Sequence, residues 1–345
     1  MSGQGLGNRM ITRHMKLLTV ALSAFFLVLI ATYLSMERLY IKNVNMVARE
    51  HLQESQDLFN AHVAFDTEKL TAVLSMFLGN EEFKQLFAEG DREKLYKKGL
   101  PLYTMLHERH GITHFYFHLP DGTNFLRLHD RQLYGDEIRR ETLKTAVVTG
   151  KMAVGIELGK TSFALRIVSP YYHGSRLIGY VEIGEEIDHF LDLLQKRKKD
   201  VFAILAEKSV LSRDEWIASQ KRRGLPADWD VLSHHAWVTF PDQKFLKGRY
   251  VTEAAIKPFE YELSIAPGAG DRAGDLIFGG FPLFDIQGKH VGVVVTLMDV
   301  SSQMQGLAQL RLMSMIIISV LLLLVMALAG YCVRRRGVGR RWERA

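Results

Sequence analysis

Residues 112–129, ITHFYFHLPDGTNFLRLH, decide how this chain is read. The first eight positions are aromatic and strand-forming, and Pro120-Asp121-Gly122 closes them. Proline presets its own φ, aspartate bonds the backbone beyond it, and glycine reaches positive φ, so this tripeptide is a turn. From Asn124 the chain alternates, which predicts a second strand with Phe125, Arg127 and His129 on one face and Leu126 and Leu128 on the other. Residues 136–149 read as a helix. Strands follow over Ser162–Pro170 and Arg176–Ile183, joined through Tyr171-Tyr172-His173-Gly174-Ser175. Strand, turn, strand, helix, strand, turn, strand predicts an antiparallel sheet with helices on one side, an α+β module.

On the N-terminal side, no Pro or Gly occurs from Ser35 to Leu78, and apolar residues from Leu39 to Phe77 recur at helical spacing. This predicts a long amphipathic helix stopped at Gly79-Asn80, then helical chain over 81–110 with breaks near Gly90 and at Gly99-Leu100-Pro101. On the C-terminal side, 185–199 reads as a helix ending in Lys196-Arg197-Lys198-Lys199, a solvated face. Strand signals return at Val201–Leu205, Tyr261–Ala266, Asp275–Pro282 and His290–Met298, whereas 206–258 has no clear period. Residues 166–184 and 278–298 echo each other: a strand, a proline, a glycine turn, then glycine and a β-branched strand.

Two runs, 17–34 and 312–333, carry no charge over 18 and 22 positions. At 1.5 Å per residue they span roughly 27 and 33 Å, close to the thickness of a bilayer's hydrocarbon. Arg9, Arg13 and Lys16 precede the first; six arginines against Glu343 follow the second. The net charge of +6 therefore sits beside the spans, and the segment between them is slightly acidic, which removes the basis for nucleic-acid binding. Basic flanks mark the cytoplasmic side. Both termini are expected in the cytoplasm of a bacterial inner membrane, with the bulk of the chain periplasmic or extracellular and the tail against membrane lipid. The first run is read as an uncleaved anchor, since no small-x-small site precedes Met36-Glu37-Arg38. The single cysteine, Cys332, excludes an internal disulfide. With 48% hydrophobic and 24% charged residues, the composition excludes a disordered or collagen-like chain.

The resulting organisation is a basic N-terminus (1–16), a transmembrane helix (17–34), a stalk helix (35–80) and a membrane-distal module (81–199). A membrane-proximal module (200–304), a second transmembrane helix (312–333) and a basic tail (334–345) complete it. Asp121-Gly122, Arg127-Leu128-His129, Tyr134-Gly135-Asp136, Thr149-Gly150-Lys151, Gly155-Ile156-Glu157-Leu158-Gly159 and the hairpin with Leu165-Arg166 and Ser169-Pro170 follow in order. With the stalk and return span, this pattern resembles the double Cache sensory domain of histidine kinases and chemoreceptors. The subgroup it is most similar to is the double sensory domain of two-component sensor kinases. The resemblance covers about residues 37–300, with the specific motifs confined to 110–185.

That resemblance implies a tandem PAS-like fold, a pocket on the sheet face for a small organic molecule, and no catalysis. Arg127 and His129 share a strand face, and Asp136 either caps the next helix or pairs with Arg127. These three form a satisfied buried network, touch a ligand directly or stand in solvent. Arg166 brings a second positive charge toward that face, favouring an acidic metabolite, while Tyr116, Tyr134 and Tyr171 are wall candidates or plain core. No cofactor is expected: phosphate-binding glycine loops and H-E-x-x-H are absent, and His234-His235 and His107-x-x-His110 lack a spaced third ligand. Sensors of this kind continue into an output domain, whereas 12 arginine-rich residues follow the second span here. Action through a partner is therefore expected, a histidine kinase or chemoreceptor, with homodimerisation through the stalk. The rival reading is a non-sensory envelope scaffold.

Overall fold

A computed structural model describes residues 3–159, 162–198, 200–239, 251–266 and 276–342. Residues 1–2, Lys199, Asp275 and 343–345, named above, lie outside it, as do the side chains of Cys332 and the arginine tail. Two compact units emerge, one of 1–47 with 300–345 and one of Ala48–Asp299.

In the first unit, helix α1 (Gly3–Leu78) and the last helix, α8 (Ser301–Trp342), pack together. The Tyr40 hydroxyl donates to the Gln303 carbonyl and Arg311 Nε donates to Glu37 Oε1 at 3.0 Å. Gly306 admits the tyrosine, since a Cβ there would stand 2.3 Å from its hydroxyl. Both helices contain a stretch long and apolar enough to cross a membrane, and neither stretch is buried within the protein.

The second unit is α+β, with two five-stranded antiparallel sheets of one topology. The first is ordered β2-β1-β5-β4-β3, from β1 (His114–His118), β2 (Asn124–Arg127), β3 (Ala153–Leu158), β4 (Phe163–His173) and β5 (Arg176–Glu186). The second repeats the order as β7-β6-β10-β9-β8, from β6 (Val201–Glu207), β7 (His235–Trp237), β8 (Ser264–Ile265), β9 (Leu276–Phe284) and β10 (His290–Asp299). The glycines of the sequence echo have one cause. A Cβ on Gly179 would lie 2.1 Å from the His118 carbonyl oxygen, and one on Gly292 would lie 2.4 Å from that of Leu205. In each sheet the long hairpin closes on its inner neighbour only because a side chain is missing.

Helix α1 supplies the core of both sheets. Phe59 meets Phe281 edge-on at 5.7 Å behind the second sheet, and Phe77 meets Phe115 at 4.9 Å behind the first. Helices α2 (Glu81–Ala88) and α3 (Arg92–His110) extend the layer, with Phe87 5.3 Å from Phe117. The expected break at Gly99–Pro101 does not occur. Gly99 is buried where a Cβ would meet the Leu128 side chain at 2.8 Å, so it serves close packing. Pro101 lies on the exposed face, where the carbonyl it leaves unbonded is open to solvent.

Three further boundaries move. The expected helix over 136–149 begins only at Glu141, as α4 (Glu141–Thr149). Residues 135–138 stay non-helical, with a bend at Gly135 (φ 84°) and a bridge from Glu137 to Thr123, because Gly135 N donates to Asn124 O at 2.8 Å, Asn124 N to Asp136 O at 2.9 Å and Ile138 N to Gly122 O at 3.2 Å. Strand β4 runs through Pro170 to His173, past its expected end. Its pairing with β3 ends at Val168, so Pro170 needs no N–H on that side. The expected strand Tyr261–Ala266 shrinks to β8. Between β6 and β8 lie α6 (Arg213–Arg222), β7 and α7 (Glu253–Ile256), after α5 (Asp188–Lys198) has joined the two sheets.

Candidate ligand-binding site

The face of the first sheet opposite α1 is polar, and strand register explains why. Tyr116 pairs with Arg127 on β2 and with Glu182 on β5, and Gly184 lies between His114 and Arg166. The alternation His114, Tyr116, His118 along β1 thus faces one way, while Phe115 and Phe117 face α1. Phe125 departs from the expected alternation. A bulge in β2 sets both Phe125 and Leu126 against Phe117, and the Phe125 ring joins Phe87 at 5.3 Å. Arg127 keeps its place beside Tyr116.

Glu182 is the centre of this face and is completely buried. It accepts from Arg166 and, at 2.8 Å, from Arg140 Nη1 through Oε1, while Oε2 meets His118 Nε2 at 2.9 Å. Burial alone would push its carboxyl up, but the Arg140 and Arg166 guanidiniums, with the His118 bond, hold it well below the usual range. His114 and His118 are both shifted down, chiefly by burial. Arg166 Nη2 lies 3.2 Å from His114 Nε2, and its Nε has no acceptor among the described residues. Nearby, Glu157 of β3 is buried and raised by that burial, though it accepts from Thr142 N at 2.8 Å and Thr142 Oγ1 at 2.7 Å. It thereby caps α4, whose own N-cap residue, Arg140, gives no side-chain cap.

Above this floor lies a cavity of about 860 Å³. Tyr116, Arg127, His129, Tyr134, Asp136 and Arg166, all singled out from the sequence, line it together with His114 and Arg140. Arg127 grips Asp136 through two parallel bonds of 2.8 and 2.7 Å, and its Nη1 donates to Leu133 O at 2.8 Å. The His129 ring lies 5.3 Å from Tyr116. Tyr134 is exposed, with the Arg92 guanidinium 3.6 Å above its ring. Residues of α6 close the cavity on one side, Glu215 and Arg222 among them.

Tyr171 is the exception and does not line this cavity. It is odd-numbered on a strand whose even-numbered Arg166 faces the cavity, so its ring packs with Phe77 and Phe87 at 5.9 and 6.1 Å on the opposite face. His114, His118, Arg140 and Glu182 went unmarked in the sequence. The period-two histidines of 112–119 carried a signal, whereas a lone glutamate in a β-branched strand carried none.

The family described as "Double sensory domain of two-component sensor kinase" matches residues 49–231. Among solved structures, the chain is similar to the sensor domain of the V. cholerae histidine kinase DctB. Identity is 12% and the TM-score 0.46, covering 74% of this chain and 98% of that one. A domain of a putative sensory box/GGDEF family protein from Vibrio parahaemolyticus is 13% identical with a TM-score of 0.42, covering 76% and 99%. The ligand-binding domain of Campylobacter jejuni chemoreceptor Tlp3, in complex with 4-methylisoleucine, is 9% identical with a TM-score of 0.38, covering 76% and 94%. No curated protein matches the chain.

Proposed function

The chain belongs to the family of double sensory domains of two-component sensor kinases, and from that premise we propose that its first sheet binds a small organic anion, a carboxylate. The domain is sensory and non-catalytic, which sets the scaffold reading aside. One observation carries the ligand class. Two guanidiniums, half-buried Arg140 and buried Arg166, share the single carboxylate of Glu182, and Arg166, 1% exposed, has an Nε without an acceptor among the described residues. The floor of the cavity thus sets two guanidiniums against one carboxylate. A ligand carboxylate answers that surplus, because guanidinium geometry matches its two oxygens. Arg127 already holds Asp136 and contributes shape, with Tyr116, His129 and Tyr134 as walls.

The two apolar stretches anchor the chain in the bacterial inner membrane, with basic termini inside and the sensory unit in the periplasm. The signal passes to a partner, a histidine kinase or chemoreceptor, and the sensory unit works as a homodimer. Ligand biases an existing equilibrium of the domain and needs no chemistry.

The test is a thermal-shift series on the full chain in nanodiscs with acetate, succinate, citrate and glutamate. A ligand at 100 times its Kd stabilises by about 2.7 kcal/mol, or roughly 5–10 °C for a unit this size. At least one carboxylate should give a saturable shift, weakened tenfold or more in Arg140→Met, which leaves the Arg166–Glu182 pair intact. No shift with any carboxylate contradicts the ligand class.

A further inference from the structure

Away from this cavity, α1 meets the junction of β5 and α5 through four charged or titratable side chains. Asp66 and Lys69 come from α1, Glu185 from the end of β5 and His189 from the first turn of α5. Lys69 Nζ binds one oxygen of each carboxylate, Asp66 Oδ1 at 2.9 Å and Glu185 Oε2 at 2.7 Å. The other oxygens face elsewhere. Asp66 Oδ2 lies 3.0 Å from His189 Nε2. Glu185 Oε1 is buried with no hydrogen-bond partner among the described residues, on a residue only 1% exposed.

The tautomer of His189 sharpens the problem. Its Nδ1 sits 2.7 Å from the Glu186 carbonyl oxygen, which can only accept, so Nδ1 carries the hydrogen. In the neutral ring Nε2 then turns a lone pair toward Asp66 Oδ2, acceptor against acceptor. A metal ion resolves both contacts at once; for Glu185 the alternative is its own carboxyl proton, since burial raises that group to about 7. Metal-bound histidines habitually donate their other ring N–H to a carbonyl or carboxylate, as His189 does here.

We propose that Asp66, Glu185 and His189 form a site for a divalent first-row transition metal ion of the Zn²⁺ class, bridging α1 to the β5–α5 junction. One donor atom from each residue lies within 4.8 Å of the others. An ion about 2.0–2.2 Å from each donor spans at most about 4.4 Å, a closure that side-chain rotation supplies. Two carboxylates and an imidazole suit Zn²⁺ and its neighbours better than Ca²⁺, which takes oxygen ligands. A cavity of about 830 Å³ beside the cluster provides entry, and Glu186 and Asp188 on its wall add negative charge. Lys69 Nζ, bound to both carboxylates, competes electrostatically with the ion. Neither His107 nor His234, weighed from the sequence, takes part, and the inference is independent of the carboxylate cavity.

The full chain in nanodiscs, stripped with EDTA and dialysed, is titrated with ZnCl₂ by calorimetry and with CoCl₂ by visible absorption. The wild type should take up one tight equivalent and develop Co²⁺ ligand-field bands. Affinity should fall at least about tenfold in His189→Ala and in Asp66→Asn, rise in Lys69→Met, and stay unchanged in His173→Ala, a remote exposed histidine. Weak uptake that is the same in the wild type and in the Asp66→Asn/His189→Ala double variant overturns the site, leaving a proton as the bridge. If either variant fails to fold, the wild-type Co²⁺ spectrum decides, and its absence overturns the proposal.

Discussion

Replacing Glu182 with glutamine tests the polar floor at its centre. The side chain is fully buried and accepts from Arg166, from Arg140 at 2.8 Å and from His118 at 2.9 Å. Glutamine keeps the shape but offers one acceptor oxygen, and turns an amide toward groups that are themselves donors. Both guanidiniums then lose their only shared anion. Breaking a buried ion pair on one side costs about 3–5 kcal/mol. For a folded unit the size of Ala48–Asp299, each kcal/mol moves Tm by about 2–4 °C, so Glu182→Gln should lower it by roughly 6–20 °C. The carboxyl is held below its ordinary value, so its contribution is present in full at pH 7 and is lost only as pH falls through the folded-state value. The assay is scanning fluorimetry of the full chain at pH 7 with and without citrate. Citrate should restore more stability to Glu182→Gln than it adds to the wild type, because the variant's guanidiniums lack an anion. A fall of less than about 1 kcal/mol, with no extra response to citrate, would refute the idea that Glu182 balances a cationic floor.

Other outcomes follow from the same face. His114 and His118 are held neutral by burial, so the unfolded chain takes up protons first as pH drops below about 6.5. Stability should therefore decline from pH 7 to pH 5 by up to about 1.4 kcal/mol per pH unit for each ring, measured by urea midpoint; a flat profile contradicts this. Asp136→Asn should release Arg127 from its two-bond grip and raise carboxylate affinity several-fold at a stability cost of about 1–2 kcal/mol, read by calorimetry. Gly179→Ala and Gly292→Ala should each destabilise by about 1–3 kcal/mol or more, since the new carbon meets a neighbouring strand's carbonyl at 2.1 and 2.4 Å. Denaturant unfolding unchanged in both would mean that the hairpins do not need the close approach.

The sequence made one part of this architecture easy to read and another hard. Turn chemistry at Pro120-Asp121-Gly122 and the glycine echo are local, so the hairpins, their repetition and the α+β class were visible. Six of the seven candidate site residues line the cavity because they follow strand parity and loop proximity. Tyr171 fails on that same parity, since it stands five positions from Arg166 along β4. The β2 bulge that moves Phe125 depends on how β1 pairs, and no pattern within 124–129 announces it. Glu182 and Arg140 are charge partners 42 positions apart, brought together only by the sheet. The Asp66–Glu185–His189 cluster is harder still, since its members lie on a helix, a strand end and another helix.

Hydrogen–deuterium exchange of the full chain in nanodiscs, with the carboxylate giving the largest thermal shift, would locate the binding face. Slowed exchange should concentrate in β1, in 127–136 and in the first half of β4, which carry Tyr116, Arg127, Asp136 and Arg166. Slowing confined to β6 and β10, or none at saturating carboxylate, would contradict the assignment of the ligand to the first sheet.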